Sequence, residues 1–506
     1  MLVAPTGGLN GRDSYSSMPH NDAFVLDNWF PHNTSVDTRG GHLNSATGLP
    51  GPVESLEVYT GGTGAVMLGF SNGSIYNVSS PGPVGPPLTS GRNGNRVQTT
   101  MFSNALTQWL LIFSGLDQPI AFNGVATAPL VITGVTGGPN SLHSPHTFKG
   151  RVFLAQEDQL GFYYLAVGAI QGAASYFDLS QVSLKGGSLA TITSFSMGDT
   201  GTGPQDFALF VTTEGEYILY SGIDPSNSAT WSLVGRYYGP PPIGKKGWLR
   251  FRSDVYFITE EGVMSFAQIR QSGEGNKGDE YITAKLGRHY TDSTKYQFVH
   301  GWCGMIYPRG QMLIINMPIT GAISGEYQQF AMNTDTNAWG RFVKQPALDW
   351  CLFNRRAYFS TFDGRVIMAD EGVTDNGKEV VGVARQAWNT FDNDQNIGVM
   401  DKQFHMASLA LQADGIPGIA CGINVNFESE KPLVISAITP PQGAIWNVAK
   451  WGEDYWAGAA TTQNIFIPVG RIGYIASLWF EAASLSSQIH WFATRILMEQ
   501  TVRASI

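Results

Sequence analysis

Apolar residues in this chain come in short runs, broken every few positions by Gly, Pro, Asn or Asp. Ala65-Val66-Met67-Leu68-Gly69-Phe70, Phe207-Ala208-Leu209-Phe210-Val211, Asp254-Val255-Tyr256-Phe257-Ile258 and Met312-Leu313-Ile314-Ile315-Asn316 are of this kind. Runs of that length, rich in β-branched and aromatic residues and bounded by turn formers, read as strands. A helical period sustained over about twelve residues is hard to find. The pattern predicts an all-β chain, either a sandwich, a barrel or a propeller.

A weak internal repeat selects among these. A strand, a tight polar turn ending in Gly and a second strand occur at Phe70-Ser71-Asn72-Gly73-Ser74-Ile75-Tyr76. The same unit returns around Glu214-Gly215, Glu261-Gly262 and Asp363-Gly364, with looser copies at Asn123-Gly124 and Asp158-Gln159-Leu160-Gly161. Glycine supplies the positive φ that a two-residue hairpin demands. The intervals between these glycines are 51, 37, 54, 47 and 102, the last close to two units. A period near 50 with one hairpin per unit fits the four-stranded blade of a β-propeller. Tyr327 to Trp339 adds a kelch-like outer hairpin, with Asn/Asp at the turn and a Trp to cover the blade. About six or seven blades are expected over residues 51–385.

The flanks differ. Residues 1–50 show few convincing strands and read as an N-terminal arm with one anchoring segment. Residues 386–506 lose the glycine turns and carry longer alternating runs, such as His405 to Leu411 and Tyr474 to Phe480. Trp446, Trp451 and Trp456 lie between those runs. A C-terminal β-sandwich-like domain is the simplest expectation, the alternative being late strands that close the propeller ring.

Composition excludes several classes. Charged residues are 14% and aromatics 12%, too apolar for a disordered chain. No apolar run reaches a membrane span, and the first residues lack the basic and apolar regions of a secretory signal. A net charge of −9 argues against a non-specific DNA clamp. Cys303, Cys351 and Cys421 are too few and too far apart for a disulfide framework or a zinc site, and are expected as buried thiols.

Candidate chemistry is sparse. His143 and His146 flank Pro145, with no carboxylate nearby in sequence, and read as a surface loop. Leu184-Lys185-Gly186-Gly187-Ser188 lacks the spacing of a phosphate loop and reads as a turn. Ser221 to Trp231 is similar to a sialidase Asp-box but lacks its Gly, and such boxes are structural hairpins. Lys245, Lys246, Arg250 and Arg252 interleave with aromatics, as a phosphate-contacting strand would, though a solvated face or subunit contact is the plainer expectation. No catalytic, cofactor-binding or metal-binding residue is nominated, no cofactor is implied, and the chain is not expected to be an enzyme.

One ordered set of segments resembles the tail nozzle or tail hub proteins of short-tailed bacteriophages. It begins with Gly7-Gly8-Leu9-Asn10-Gly11-Arg12-Asp13 and Asp22-Ala23-Phe24-Val25-Leu26-Asp27-Asn28-Trp29-Phe30-Pro31. Val36-Asp37-Thr38-Arg39-Gly40-Gly41 and Ala46-Thr47-Gly48-Leu49 follow, then Arg151-Val152-Phe153-Leu154, Lys185 to Leu189, Tyr220 to Pro225, Trp231 to Gly235 and Met332 to Trp339. The resemblance covers about the first 400 residues. It implies a non-enzymatic virion protein with a β-propeller, six copies of which form a ring below the portal and adaptor. It further implies contact with tail fibre or tail spike proteins, passage of genomic DNA through the lumen without sequence-specific binding, and assembly in the host cytoplasm. A receptor-binding or glycan-degrading propeller tail protein is the alternative.

Overall fold

The computed structural model describes residues 2–500, except 63, 105–106, 198–204, 273–280, 322–325, 392–399, 414–416 and 437–460. Trp446, Trp451 and Trp456 therefore lie outside the described residues. The rest is almost entirely strand, with two α-helices of seven residues among the described residues.

Seven small antiparallel sheets follow one another along the chain as the blades of a β-propeller. Blade 1 is Val53–Gly61, Gly64–Ser71 and Ser74–Asn77; blade 2 runs from Gln98–Ser103 to Thr127–Pro129. Blade 3 runs from Leu142–Phe148 to Ser175–Asp178, and blade 4 from Leu189–Met197 to Trp231–Tyr238. Blade 5 has three strands, Trp248–Phe251, Asp254–Ile258 and Val263–Ser265, followed by the helix Phe266–Ser272. Blade 6 runs from Cys303–Tyr307 to Trp339–Val343. Blade 7 takes Ala347–Phe353, Arg356–Thr361 and Val366–Ala369 from late in the chain and His42–Thr47 from its beginning, paired Val366↔Ala46 and Met368↔Leu43. The ring is thus closed by hydrogen bonds between distant segments, which removes a free sheet edge at the seam.

The glycine signature marks one recurring place. Gly73, Gly215, Gly262 and Gly364 each sit in the turn between the second and third strands of a blade, all at positive φ. Gly161 follows the same turn of blade 3, whereas Gly124 belongs to the third turn of blade 2. Apolar side chains from neighbouring blades fill the spaces between them. Tyr59, Phe70 and Ile112 pack between blades 1 and 2; Phe153, Phe162, Phe210 and Trp231 pack between blades 3 and 4. Seven such wedges make a rigid disc.

The second unit is a sandwich of two sheets. One orders Asp22–Asp27, Lys378–Gln386, Ala476–Ser484, Gly418–Val425 and Ile435–Ser436; the other orders Trp29–Pro31, Val36–Thr38, His490–Gln500, Lys402–Ala413 and Thr461–Gly473. Leu409, Leu411, Ile467 and Trp491 face Ile419, Leu478 and Phe480 across the interior. This core is continuous with blade 5 and 6 residues Leu249, Ile258, Leu313 and Phe330. Residues 1–50 supply strands to both sandwich sheets and to blade 7, many more than their sequence pattern suggests.

Candidate functional site: the propeller axis and the seam

The first strand of every blade lines the axis, where the side chains with most chemical potential collect. Two cavities lie along it, of about 610 and 340 Å³. The larger is bordered by Glu54, Arg96, Glu157, Lys245, Phe298 and His300, among others, and the smaller by residues from all seven blades.

Between the cavities, Lys246 Nζ donates to Glu57 Oε1 at 2.8 Å and to Asp349 Oδ2 at 2.7 Å. Asp349 Oδ2 also accepts from the Leu56 backbone N–H at 2.9 Å, and Glu57 Oε2 from the Thr99 hydroxyl at 2.6 Å. Burial opposes the charge on Lys246, but the two carboxylates outweigh it and hold the ammonium protonated, with its pKa raised. Burial pushes Glu57 the other way, upward, with Asp349 adding to the effect and Lys246 opposing it.

The remaining expected residues resolve as follows. Lys245 pairs with Glu157 of blade 3. Arg250 donates to the Ser194 carbonyl at 3.0 Å and hydroxyl at 2.6 Å, and Arg252 to the Thr334 carbonyl at 3.0 Å. The basic run is therefore used internally to tie blade 5 and the connection before it to other blades. His143 and His146 are not on a surface loop. Both lie on Leu142–Phe148, the first strand of blade 3, which bulges between them. A Pro breaks a helix but is tolerated at a strand bulge, and that is where Pro145 sits. Burial, reinforced by Lys245 for His143 and Arg250 for His146, pushes each imidazole down to about 3. The three cysteines are buried and unpaired, and burial raises each thiol.

The Asp-box-like segment is the outer hairpin of blade 4. Asp224 accepts from the Ser226 backbone and hydroxyl at 3.1 and 2.8 Å, and Trp231 stacks on Tyr220 with centroids 5.2 Å apart. The Leu184–Ser188 turn wraps a carboxylate of the chain itself: Glu216 accepts from the Leu184 N–H at 3.0 Å, the Lys185 N–H at 3.3 Å and the Ser183 hydroxyl. Among the described residues no group of three His, Cys, Asp or Glu side chains is placed to hold a metal ion.

A second constellation, not anticipated as a unit, lies at the seam between propeller and sandwich. Gly8, at φ +88°, brings its backbone so close to Trp339 that a Cβ there would stand 2.6 Å from the Trp339 N and O. Asp27 accepts from Arg341 at 2.5 and 2.8 Å. Asn28, at φ 58°, accepts from Arg39 and from the Val343 N–H, both at 2.9 Å, and donates to the Val381 carbonyl. Arg39 in turn forks onto Asp375 at 2.9 and 2.6 Å. Each residue type has a reason: glycine for close approach, asparagine for tolerance of positive φ, arginine for a two-pronged carboxylate.

The arrangement defines a seven-bladed β-propeller joined to a β-sandwich. No family model and no curated protein matches the chain. Among solved structures it is similar to BBS1N in complex with ARL6DN, at 10% identity over 65% of this chain and 97% of that one, TM-score 0.40. It is also similar to Raptor of Chaetomium thermophilum, at 10% identity over 65% of this chain and 28% of that one, TM-score 0.39. YCF48 bound to D1 peptide is similar at 11% identity over 70% of this chain and 99% of that one, TM-score 0.37.

Proposed function

We propose that this chain is a structural subunit of the tail of a short-tailed phage, six copies of which form a nozzle or hub ring that continues the DNA channel below the portal and adaptor. The observation that carries the reading is the resemblance itself, an ordered series of motifs spread over about 400 residues. Its members meet physically: Gly8 of the first motif packs on Trp339 of the last, and Asp27, Asn28 and Arg39 bind one another or the strands beside Trp339. Residues that fix a junction between two units are under specific steric demands, so a match at these positions is more telling than one at generic turns.

Physical features agree with a ring subunit. The propeller's own axis is crossed by Lys246, so the path for a duplex lies between copies and not through a subunit. Apolar side chains stand exposed on the sandwich sheet that contains Lys402–Ala413, among them Phe466, Ile472 and Leu497, and on the last strand of blade 4 at Leu233 and Val234. Low charge suits surfaces that neighbours will cover, and a net negative subunit lets phosphate slide without adhering. No helix among the described residues is long and apolar enough to cross a membrane.

The purified chain, concentrated and imaged by negative-stain microscopy, is expected to give sixfold rings and to leave host surface polysaccharide intact. A monomer that degrades that polysaccharide would overturn the proposal in favour of a tail-tip depolymerase.

A further inference from the structure

The connection from blade 4 to blade 5 reads Gly239-Pro240-Pro241-Pro242-Ile243-Gly244-Lys245-Lys246-Gly247. Its base is fixed: the Ile243 N–H donates to Ile258 O at 2.7 Å, the Ile258 N–H to Gly247 O at 2.8 Å, and the Tyr217 hydroxyl to Pro240 O at 2.7 Å. Three prolines stiffen the approach. The tip is a turn, with Gly244 at φ 70° and the Gly247 N–H reaching Gly244 O at 3.3 Å.

That tip, Gly-Lys-Lys-Gly, carries no apolar side chain. What holds it across the axis is charge: Lys246 to Glu57 of blade 1 and Asp349 of blade 7, and Lys245 to Glu157 of blade 3. Both axial cavities are bordered by Lys245 and Lys246, together with Gln98, Cys303 and Asp349, so the tip forms part of the partition between them. The buried Oε1 of Gln98 has no protein partner. A buried acceptor in that position calls for water along the axis.

We infer that the tip Gly244–Gly247 is a removable plug, a charge-latched strap whose release joins the two cavities into one axial passage for small solutes. The base hydrogen bonds survive that release if the swing is confined to Gly244, Lys245 and Lys246, with Gly247 O still held by the Ile258 N–H and Ile243 N–H still on Ile258 O. The device concerns the subunit's own axis and stands apart from the nozzle reading.

The chain carries its own reporters. Cys303 borders both cavities, whereas Cys421 is fully buried and borders neither. The test follows alkylation of each cysteine in the intact protein with a small maleimide at pH 8, read by mass spectrometry. Lys246→Gln is expected to accelerate labelling of Cys303 at least tenfold and to leave Cys421 unchanged. Electrostatics alone would act the other way, since Lys246 favours the Cys303 thiolate. Unchanged protection of Cys303 in the folded variant, or rapid labelling in the unmodified chain, would overturn the inference. Should the variant not fold, the unmodified chain in sub-denaturing urea decides. Release of the plug predicts a shallower urea dependence for Cys303 than for Cys421, and coincident dependences would refute it.

Discussion

Lys246 Nζ lies 2.7 Å from Asp349 Oδ2, tying the connection before blade 5 to the first strand of blade 7 across the propeller axis. Asp349 is 4% exposed and Lys246 24%, so removing the lysine leaves a buried carboxylate without its partner in a partly hydrated site, at a cost of about 1–3 kcal/mol. Lys246→Met should lower unfolding stability by that order in urea titration. Neutralising Glu57 and Asp349 in the same chain should restore most of the loss. A change in Lys246→Met within the range of surface substitutions would show that the tie contributes nothing.

Acid should destabilise the fold through blade 3. His143 and His146 are held neutral to about pH 3, against an ordinary value of 6.5. The unfolded chain takes up protons at these sites near pH 6.5, and the folded chain does so only near pH 3. Stability is therefore full above pH 6.5 and falls as pH drops, by about 1.4 kcal/mol per pH unit for each imidazole. Thermal unfolding from pH 7 to 4 should show this slope, and the His143→Gln/His146→Gln chain should flatten it.

Asp375 sets a separate, lower window. Its burial would raise the pKa, but bonds from Arg39 and His42 more than compensate and bring it to about 2. Its contribution is complete above the ordinary value of 3.8 and is lost as pH falls from there through 2. Asp375→Asn should cost about 2 kcal/mol near neutrality and under about 0.5 kcal/mol near pH 2. Equal losses at both pH values would mean that the carboxylate's charge is not what links the N-terminal segment to the Thr374–Asp375 strand.

What the sequence disclosed, and what it hid, follows from the range of the interactions. Gly73, Gly215, Gly262 and Gly364 announced the blade turns because positive φ is a local demand. The strands of residues 1–50 were hidden because their partners are hundreds of positions away, as with Leu2↔Thr494 and Ala46↔Val366. His143 and His146 misled for the opposite reason: Pro145 suggested a loop, and only the neighbouring strand shows that a bulge absorbs it. Lys245 and Lys246 looked like a basic patch because Glu57, Glu157 and Asp349 reach them only in three dimensions.

The outer hairpin of blade 4 should prove structural. Trp231 is 5% exposed and lies among Phe153, Phe162, Phe210 and Tyr220. Trp231→Ala should destabilise the chain by about 3–5 kcal/mol, read as a lowered urea midpoint. A loss under about 1 kcal/mol would mean that the indole is not a wedge between blades 3 and 4.

The proposed tail-ring role is checked at first hand by an electron cryo-microscopy map of the phage particle proposed to carry this chain. Six copies are expected in a ring below the adaptor, each fitted by the seven-bladed propeller and its sandwich, with DNA density on the ring axis and none along any propeller axis. Density for this chain at the fibre or spike tips, or its absence from the particle, would contradict it.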